Sequence, residues 1–253
     1  MEIRVLGCYG GEAPGHRTTC FLVNSKLAID AGAVTGALSL KDQAKVDAVI
    51  LTHSHLDHVR DLAFLADNVF GKRERPVTIH GLPETIRELQ NHIFNNSVWP
   101  DFSRIPNPEH PILAYREIRE NTPFEIDGLT IVAIKVNHTV PAAGFIVANE
   151  TKSFAFSGDT GPTEAFWLEA QKRADLAAIF LETSFPSRLS ELAELTGHLT
   201  PALARLELAK LGRPEVPVYL HHMKPQYLKE IMGEVDSVQP TLRVARQGDH
   251  IEI

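Results

Sequence analysis

A mixed α/β fold is predicted by three observations: short apolar runs bounded by turn residues, longer segments of helical periodicity between them, and histidines or aspartates where the apolar runs stop. The runs at 3–8, 20–24, 27–30 and 47–52 read as strands, with Asn24-Ser25 turning between the middle pair. Helical spacing follows over 59–70 and 83–94. Pro83 and Glu84 suit a first turn, where proline's missing N–H costs nothing and an acid complements the helix dipole. A second β-rich half is predicted over 130–136, 144–149, 152–157 and 177–181, with a hairpin at Asn149-Glu150 and a further strand at 218–220. Helices are predicted at 163–172 and 201–211, the latter capped by Thr200. Between the halves, Pro100, Pro106, Pro108 and Pro111 make 95–111 an ordered loop rather than a regular element. Its Trp99 and Phe102 are candidates to stack on a planar ligand, or else pin the loop to the core.

With 253 residues and 43% apolar content, the chain supports a real core, and residues 1–253 are expected to form one domain. No apolar run approaches the length of a membrane span, and the first residues lack the pattern of a signal peptide, so a soluble, cytoplasmic protein is expected. Cys8 and Cys20 read as reduced thiols, too few for a disulfide framework or a structural zinc site of their own. Twenty-five basic residues against thirty-two acidic ones, a net charge of −7, argue against a nucleic-acid partner. The basic cluster Lys72-Arg73-Glu74-Arg75 is expected to complement a helix C-terminus. A homodimer is left open.

The chemistry concentrates in Leu51-Thr52-His53-Ser54-His55-Leu56-Asp57-His58, four metal-capable side chains just beyond an apolar run. In a loop after a strand, His53 and His55 can converge on one cation, while Asp57 and His58 form a mixed nitrogen and oxygen site suited to a second. The pattern points to a two-metal hydrolase. Further strand ends deliver His138, Asp159 and the pair His221-His222, and a carboxylate such as Asp159 has two oxygens with which to bridge two cations.

In that order, these residues resemble the metallo-β-lactamase superfamily over most of the chain. The resemblance implies a four-layer αββα sandwich with two divalent ions at one edge of its sheets. One ion would take His53, His55 and His138, and the other Asp57, His58 and His222, with Asp159 and a hydroxide bridging them. Asp57 is thereby both a ligand and a candidate catalytic residue. His222 is preferred over His221 because His222-Met223-Lys224-Pro225 matches the family ending better. Asp30 matches an early aspartate that holds ligands from behind, and Asp61 stands where the commonest motif has glycine. Zinc is the first expectation, with manganese and iron accommodated by the same donors.

Asn137-His138-Thr139-Val140-Pro141, Glu182-Thr183-Ser184-Phe185-Pro186 and Gly197-His198-Leu199-Thr200-Pro201 narrow the resemblance to class II cyclic-nucleotide phosphodiesterases. Hydrolysis of cAMP or cGMP to the 5′-monophosphate is the implied activity, with a cyclic nucleotide as the small-molecule partner. His198 is the candidate proton donor to the leaving oxygen, Glu182 its orienter, and Thr139 and Thr160 candidate phosphate contacts. Glu182 with His198 also resembles the pair of tRNase Z enzymes, so another phosphodiester substrate is the alternative. A nucleotide-binding module without turnover is a third reading.

Overall fold

Two seven-stranded sheets face each other in the computed structural model, which describes residues 1–235 and 242–253. Strands and helices are numbered in chain order. The first sheet contains β1 (Glu2–Gly7), β2 (Cys20–Val23), β3 (Leu27–Ile29), β4 (Ala48–Ile50), β5 (Val77–Gly81), β6 (Leu113–Glu117) and β14 (His250–Glu252), in the order β14-β1-β2-β3-β4-β5-β6. The second contains β7 (Phe124–Ile126), β8 (Leu129–Lys135), β9 (Ala143–Ala148), β10 (Ser153–Phe156), β11 (Leu176–Glu182), β12 (Val218–His221) and β13 (Leu242–Val244), neighbours in numerical order. β3 through β6 run parallel, as do β10 through β13, and helical crossovers cover both outer faces.

Three apolar cores separate the layers. On the outer face of the first sheet, Val49 and Ile79 pack with Leu62, Leu65 and Val69 of helix α4 (Asp61–Val69). Between the sheets, Phe21 meets Phe156 and Phe180 edge-on, at ring separations of 5.1 and 5.2 Å. On the outer face of the second sheet, Ile146 and Ile179 pack with Trp167 of α6 (Ala165–Gln171), Ala204 of α8 (Pro201–Leu211) and Ile231 of α9 (Leu228–Val235). Three cores between four layers give the αββα sandwich. Strands buried on both faces explain why their sequences read as continuous apolar runs.

Several elements differ from their sequence expectations. The helix expected from residue 59 starts earlier, as α3 (Leu56–Val59) joined through Arg60 to α4, so Asp57 and His58 stand in a helical turn rather than in a loop. α1 (Val34–Ala37), α2 (Leu40–Gln43), α7 (Ser190–Thr196) and α9 are additional helices. β5, β6 and β7 are additional strands; polar residues alternate with apolar ones in β5 and β7, and β6 ends in Arg116-Glu117. The hairpin at Asn149 forms as expected, its side-chain oxygen accepting the N–H groups of Thr151 and Lys152. α5 (Pro83–His92) also lies where proline foretold it.

The loop at 95–111 does not offer its aromatics to a ligand. Phe102 is only 5% exposed within the first outer core. Trp99 packs edge-on against Phe64 and donates from Nε1 to the Ala63 carbonyl at 3.0 Å. Both therefore pin the loop, correcting the stacking expectation. Nor does the basic cluster serve a helix dipole, because α4 has already ended at Val69; Arg73 instead ties the Ala44 carbonyl to the Asp47 carboxylate. Among the described residues, no helix is long and apolar enough to cross a membrane.

Candidate metal centre

The cluster forms where strands of both sheets run out. At the end of β3, Asp30 adopts a left-handed φ of 58° and turns its carboxylate under the next strand end. There it accepts the Thr52 N–H at 2.8 Å and His58 Nδ1–H at 2.7 Å. The Thr52 hydroxyl donates to Asp30, leaving its oxygen to accept from His53 Nδ1 at 2.9 Å. Both rings are thus fixed by the nitrogen that faces away, and their Nε2 atoms face the cluster. His55 caps α3, and Asp57 and His58 occupy its first turn.

The second sheet supplies the remaining groups. His138 follows β8, donates from Nδ1 to the Gly197 carbonyl at 2.9 Å, and approaches His55 at 3.2 Å. Asp159 follows β10 through Gly158, whose φ is 60°. After β12 the chain resolves the choice between two adjacent histidines. His221 continues the strand and stacks on Phe156 in the inter-sheet core, where burial holds its imidazole down at about 3. His222 adopts a φ of 62°, which swings its ring toward the cluster, with Nδ1 2.8 Å from the Thr19 hydroxyl.

The resulting donors form overlapping sets: His53 with His55 and His138, Asp57 with His58 and His222, and Asp159 with His53 and His58. Asp159 Oδ2 lies 3.8 Å from His53 Nε2, 3.3 Å from His58 Nε2 and 3.1 Å from His222 Nε2, so it stands between the first two sets. His53 Nε2, His58 Nε2 and Asp159 Oδ1 are buried without any hydrogen-bond partner. Buried polar atoms left unpaired are costly, and here they converge within reach of one another. That donor set fits divalent cations, with imidazole and carboxylate suiting zinc, manganese or iron.

Charges within the cluster act on one another. Burial pushes His53 well below the ordinary imidazole range, reinforced by His58. For His58 burial acts in the same direction, but Asp159 and Asp30 outweigh it and hold the ring well above that range. Burial would raise Asp159, yet His222 and His58 hold its carboxyl well below the carboxylate range.

Beside these sets stands the Glu182–His198 pair. His198 Nδ1 donates to Glu182 Oε1 at 2.9 Å, and the ring forms a further candidate ligand group with His138 and Asp159. Glu182 is fully buried at the end of β11 and also accepts the N–H groups of Thr160 and Leu199. Burial opposes a charge on His198, but the Glu182 carboxylate prevails and raises its affinity for a proton. Thr200 caps α8 as expected, accepting from the Leu203 N–H.

Thr139 is exposed next to His138. Thr160 is not available to a phosphate: it is buried, its hydroxyl donating to the Gly161 carbonyl and accepting the Asn137 N–H. It shapes its own turn, which corrects the expectation of a substrate contact. No sequence pattern marked Thr19 behind His222, and Ser184, whose hydroxyl lies 3.0 Å from Glu182 Oε2, stood within the motif Glu182-Thr183-Ser184-Phe185-Pro186 but was given no role of its own. Gly10 was equally silent, although a Cβ there would stand 2.8 Å from the His222 ring.

Comparison with known proteins agrees with this architecture. Residues 27–223 match the family model described as beta-lactamase superfamily domain. A 3′,5′-cyclic-nucleotide phosphodiesterase of Aliivibrio fischeri is 25% identical, with 98% of this chain and 91% of that protein covered. A ribonuclease Z of Bradyrhizobium diazoefficiens is 24% identical, with 90% of each covered. The crystal structure of unliganded yeast PDE1 superposes with a TM-score of 0.81 at 21% identity, covering 98% of each chain. With two mixed sheets flanked by helices and a family match across both halves, the chain belongs to the beta-lactamase superfamily and has the metallo-β-lactamase fold.

Proposed function

We propose that this protein is a binuclear metal-dependent phosphodiesterase that hydrolyses 3′,5′-cyclic nucleotides to 5′-monophosphates. The observation that carries the reading is the Glu182–His198 pair held against the imidazole and carboxylate sets. His53, His55 and His138 would hold one cation, Asp57, His58 and His222 the other, and Asp159 both. Divalent cations bound there supply positive charge for the phosphoryl oxygens and make a water more acidic.

The protein's own residues account for the rest of the reaction. Hydrolysis adds water across the P–O3′ bond: oxygen joins phosphorus, the bond to O3′ breaks, and O3′ must receive a proton. His198, fixed through Nδ1 by Glu182, presents Nε2 as the donor for that proton. Thr52, Asp30, Thr19 and the Gly197 carbonyl orient the surrounding rings, so that little reorganisation is needed during the reaction.

The test is a panel on zinc-, manganese- and iron-loaded protein, with cAMP, cGMP, cyclic dinucleotides, bis-p-nitrophenyl phosphate and precursor tRNA, beside a metal assay. About two ions per chain with turnover of a cyclic mononucleotide is expected. Fully loaded protein inert toward both cAMP and cGMP overturns the reading. A ribonuclease Z-like activity is the second reading, favoured by the ribonuclease Z relative and its coverage of 90% of this chain. Its substrate is a long polyanion, which a net charge of −7 repels; cleavage of precursor tRNA in the same panel would select it.

A further inference from the structure

At the opposite end of the inter-sheet layer from the histidine cluster, the two sheets part around a cavity of about 870 Å³. β4 connects the two features: Ala48 lines the cavity, while the chain beyond Ile50 leads to His53. β5 and the edge strand β6 contribute Thr78, His80 and Arg116, and β7 of the other sheet contributes Phe124. A volume of this size accommodates a nucleotide-sized ligand, since small-molecule sites run to roughly 300–1,000 Å³.

Two features of its walls specify chemistry. The first is charge: the Arg75, Arg116 and Arg119 side chains line the cavity and, among the described residues, make no hydrogen bond or ion pair. Arg73 is already engaged with Asp47, and Asp127 with Lys26, so neither acid neutralises the three free guanidinium groups. Glu117 and Glu125 also border the cavity, but strand alternation turns them to the face opposite Arg116 and Phe124. The cavity thus gathers three cationic side chains on a chain whose net charge is −7. The second feature is a flat aromatic surface, formed where His80 stacks on Phe124 across the gap with ring centroids 5.7 Å apart and an interplanar angle of 13°. Both rings are half-buried and line the cavity.

We infer that this cavity is a second binding site that takes a nucleoside monophosphate, with the phosphate on Arg116 and Arg119 and the base extending the His80–Phe124 stack. A guanidinium fork matches phosphate geometry, and planar rings stack favourably on aromatic faces. No bond is made or broken there. The inference is independent of what reaction the histidine cluster performs.

The experiment counts 5′-AMP bound per chain by titration calorimetry on metal-loaded protein, using bis-p-nitrophenyl phosphate turnover to check the cluster. The comparison variant is Arg116→Glu with Arg119→Glu, whose unfolding midpoint at neutral pH should not move because neither side chain has a hydrogen-bond or ion-pair partner among the described residues. Wild type is expected to bind one equivalent more than the variant, or to bind at least tenfold more tightly if only the cavity takes the ligand. Ribose 5-phosphate, which lacks the base, should bind at this site at least tenfold more weakly than 5′-AMP, and His80→Ala should erase that difference. Should the midpoint fall, Arg116→Gln with Arg119→Gln removes the charge without reversing it, and the same loss of 5′-AMP binding is expected. Equal stoichiometry and affinity in wild type and the charge variants overturn the site, and equal binding of 5′-AMP and ribose 5-phosphate overturns the nucleotide assignment.

Discussion

The two ends of the inter-sheet layer differ in how their polar groups are held. At the histidine end, four buried rings each have a dedicated partner on the outward nitrogen: Thr52 for His53, Asp30 for His58, Thr19 for His222, Glu182 for His198. At the arginine end, Arg75, Arg116 and Arg119 are exposed and have no hydrogen-bond or ion-pair partner among the described residues. The difference teaches how to separate a built reaction centre from a surface that merely attracts. The first has already met the cost of burying charge and fixing geometry, whereas the second must order its side chains when something arrives.

The largest expected effect breaks the histidine end at its centre. Asp159→Ala removes the carboxylate shared between the two donor sets and should lower kcat by roughly a thousandfold or more, equivalent to several kcal/mol of lost charge stabilisation. Metal content measured on the same sample should fall below that of wild type; retention of both ions and full turnover would show that Asp159 is dispensable. Next comes His198→Ala, which should reduce kcat about 10²- to 10⁴-fold while leaving metal content unchanged. Loss of an ion in that variant would instead make His198 a ligand, as its grouping with His138 and Asp159 allows.

A smaller effect probes the outward partners. Thr19→Val keeps the shape of the side chain but leaves His222 Nδ1 without its hydroxyl, and should weaken metal affinity about 10- to 100-fold in a chelator competition. Unchanged affinity would remove Thr19 from the supporting shell. The smallest effect belongs to the arginine end. Burial, with Arg116 nearby, holds His80 down at about 4, below its ordinary 6.5. The unfolded chain therefore binds a proton that the folded chain refuses, and the stability associated with neutral His80 is intact above 6.5 and lost as pH falls toward 4. His80→Phe should match wild type in thermal unfolding at pH 7.5 and exceed it by on the order of 1–2 kcal/mol at pH 4.5. Parallel curves across that window would show that His80 is freely protonated.

These contrasts also explain what the sequence could reveal. His53, His55, Asp57 and His58 were legible because four donors lie within one short segment, and His138, Asp159 and His222 because each lies just beyond the end of an apolar strand. The choice of His222 over His221 came from resemblance, and its physical reason is the left-handed φ of 62° that interrupts strand alternation. Trp99, Phe102 and Thr160 were misread because residue type says nothing of direction: two point into packing and the third into its own turn. Thr19 and Gly10 left no trace because their roles depend on contacts with His222, far away in the chain. The arginine end was hidden for a related reason, since Arg75, Arg116 and Phe124 meet only when edge strands of different sheets are brought together.

Asp61, the departure from the commonest motif, has a wider consequence. Its carboxylate accepts the N–H groups of Thr35 and Gly36 and the Thr35 hydroxyl, closing the start of α1 where Ala33 provides no side-chain cap. Glycine at 61 has no atoms with which to do this. Among descendants of a common ancestor, positions 33, 35 and 61 should therefore drift in concert, and a lineage that reverts to glycine should acquire a serine, threonine, aspartate or asparagine at 33.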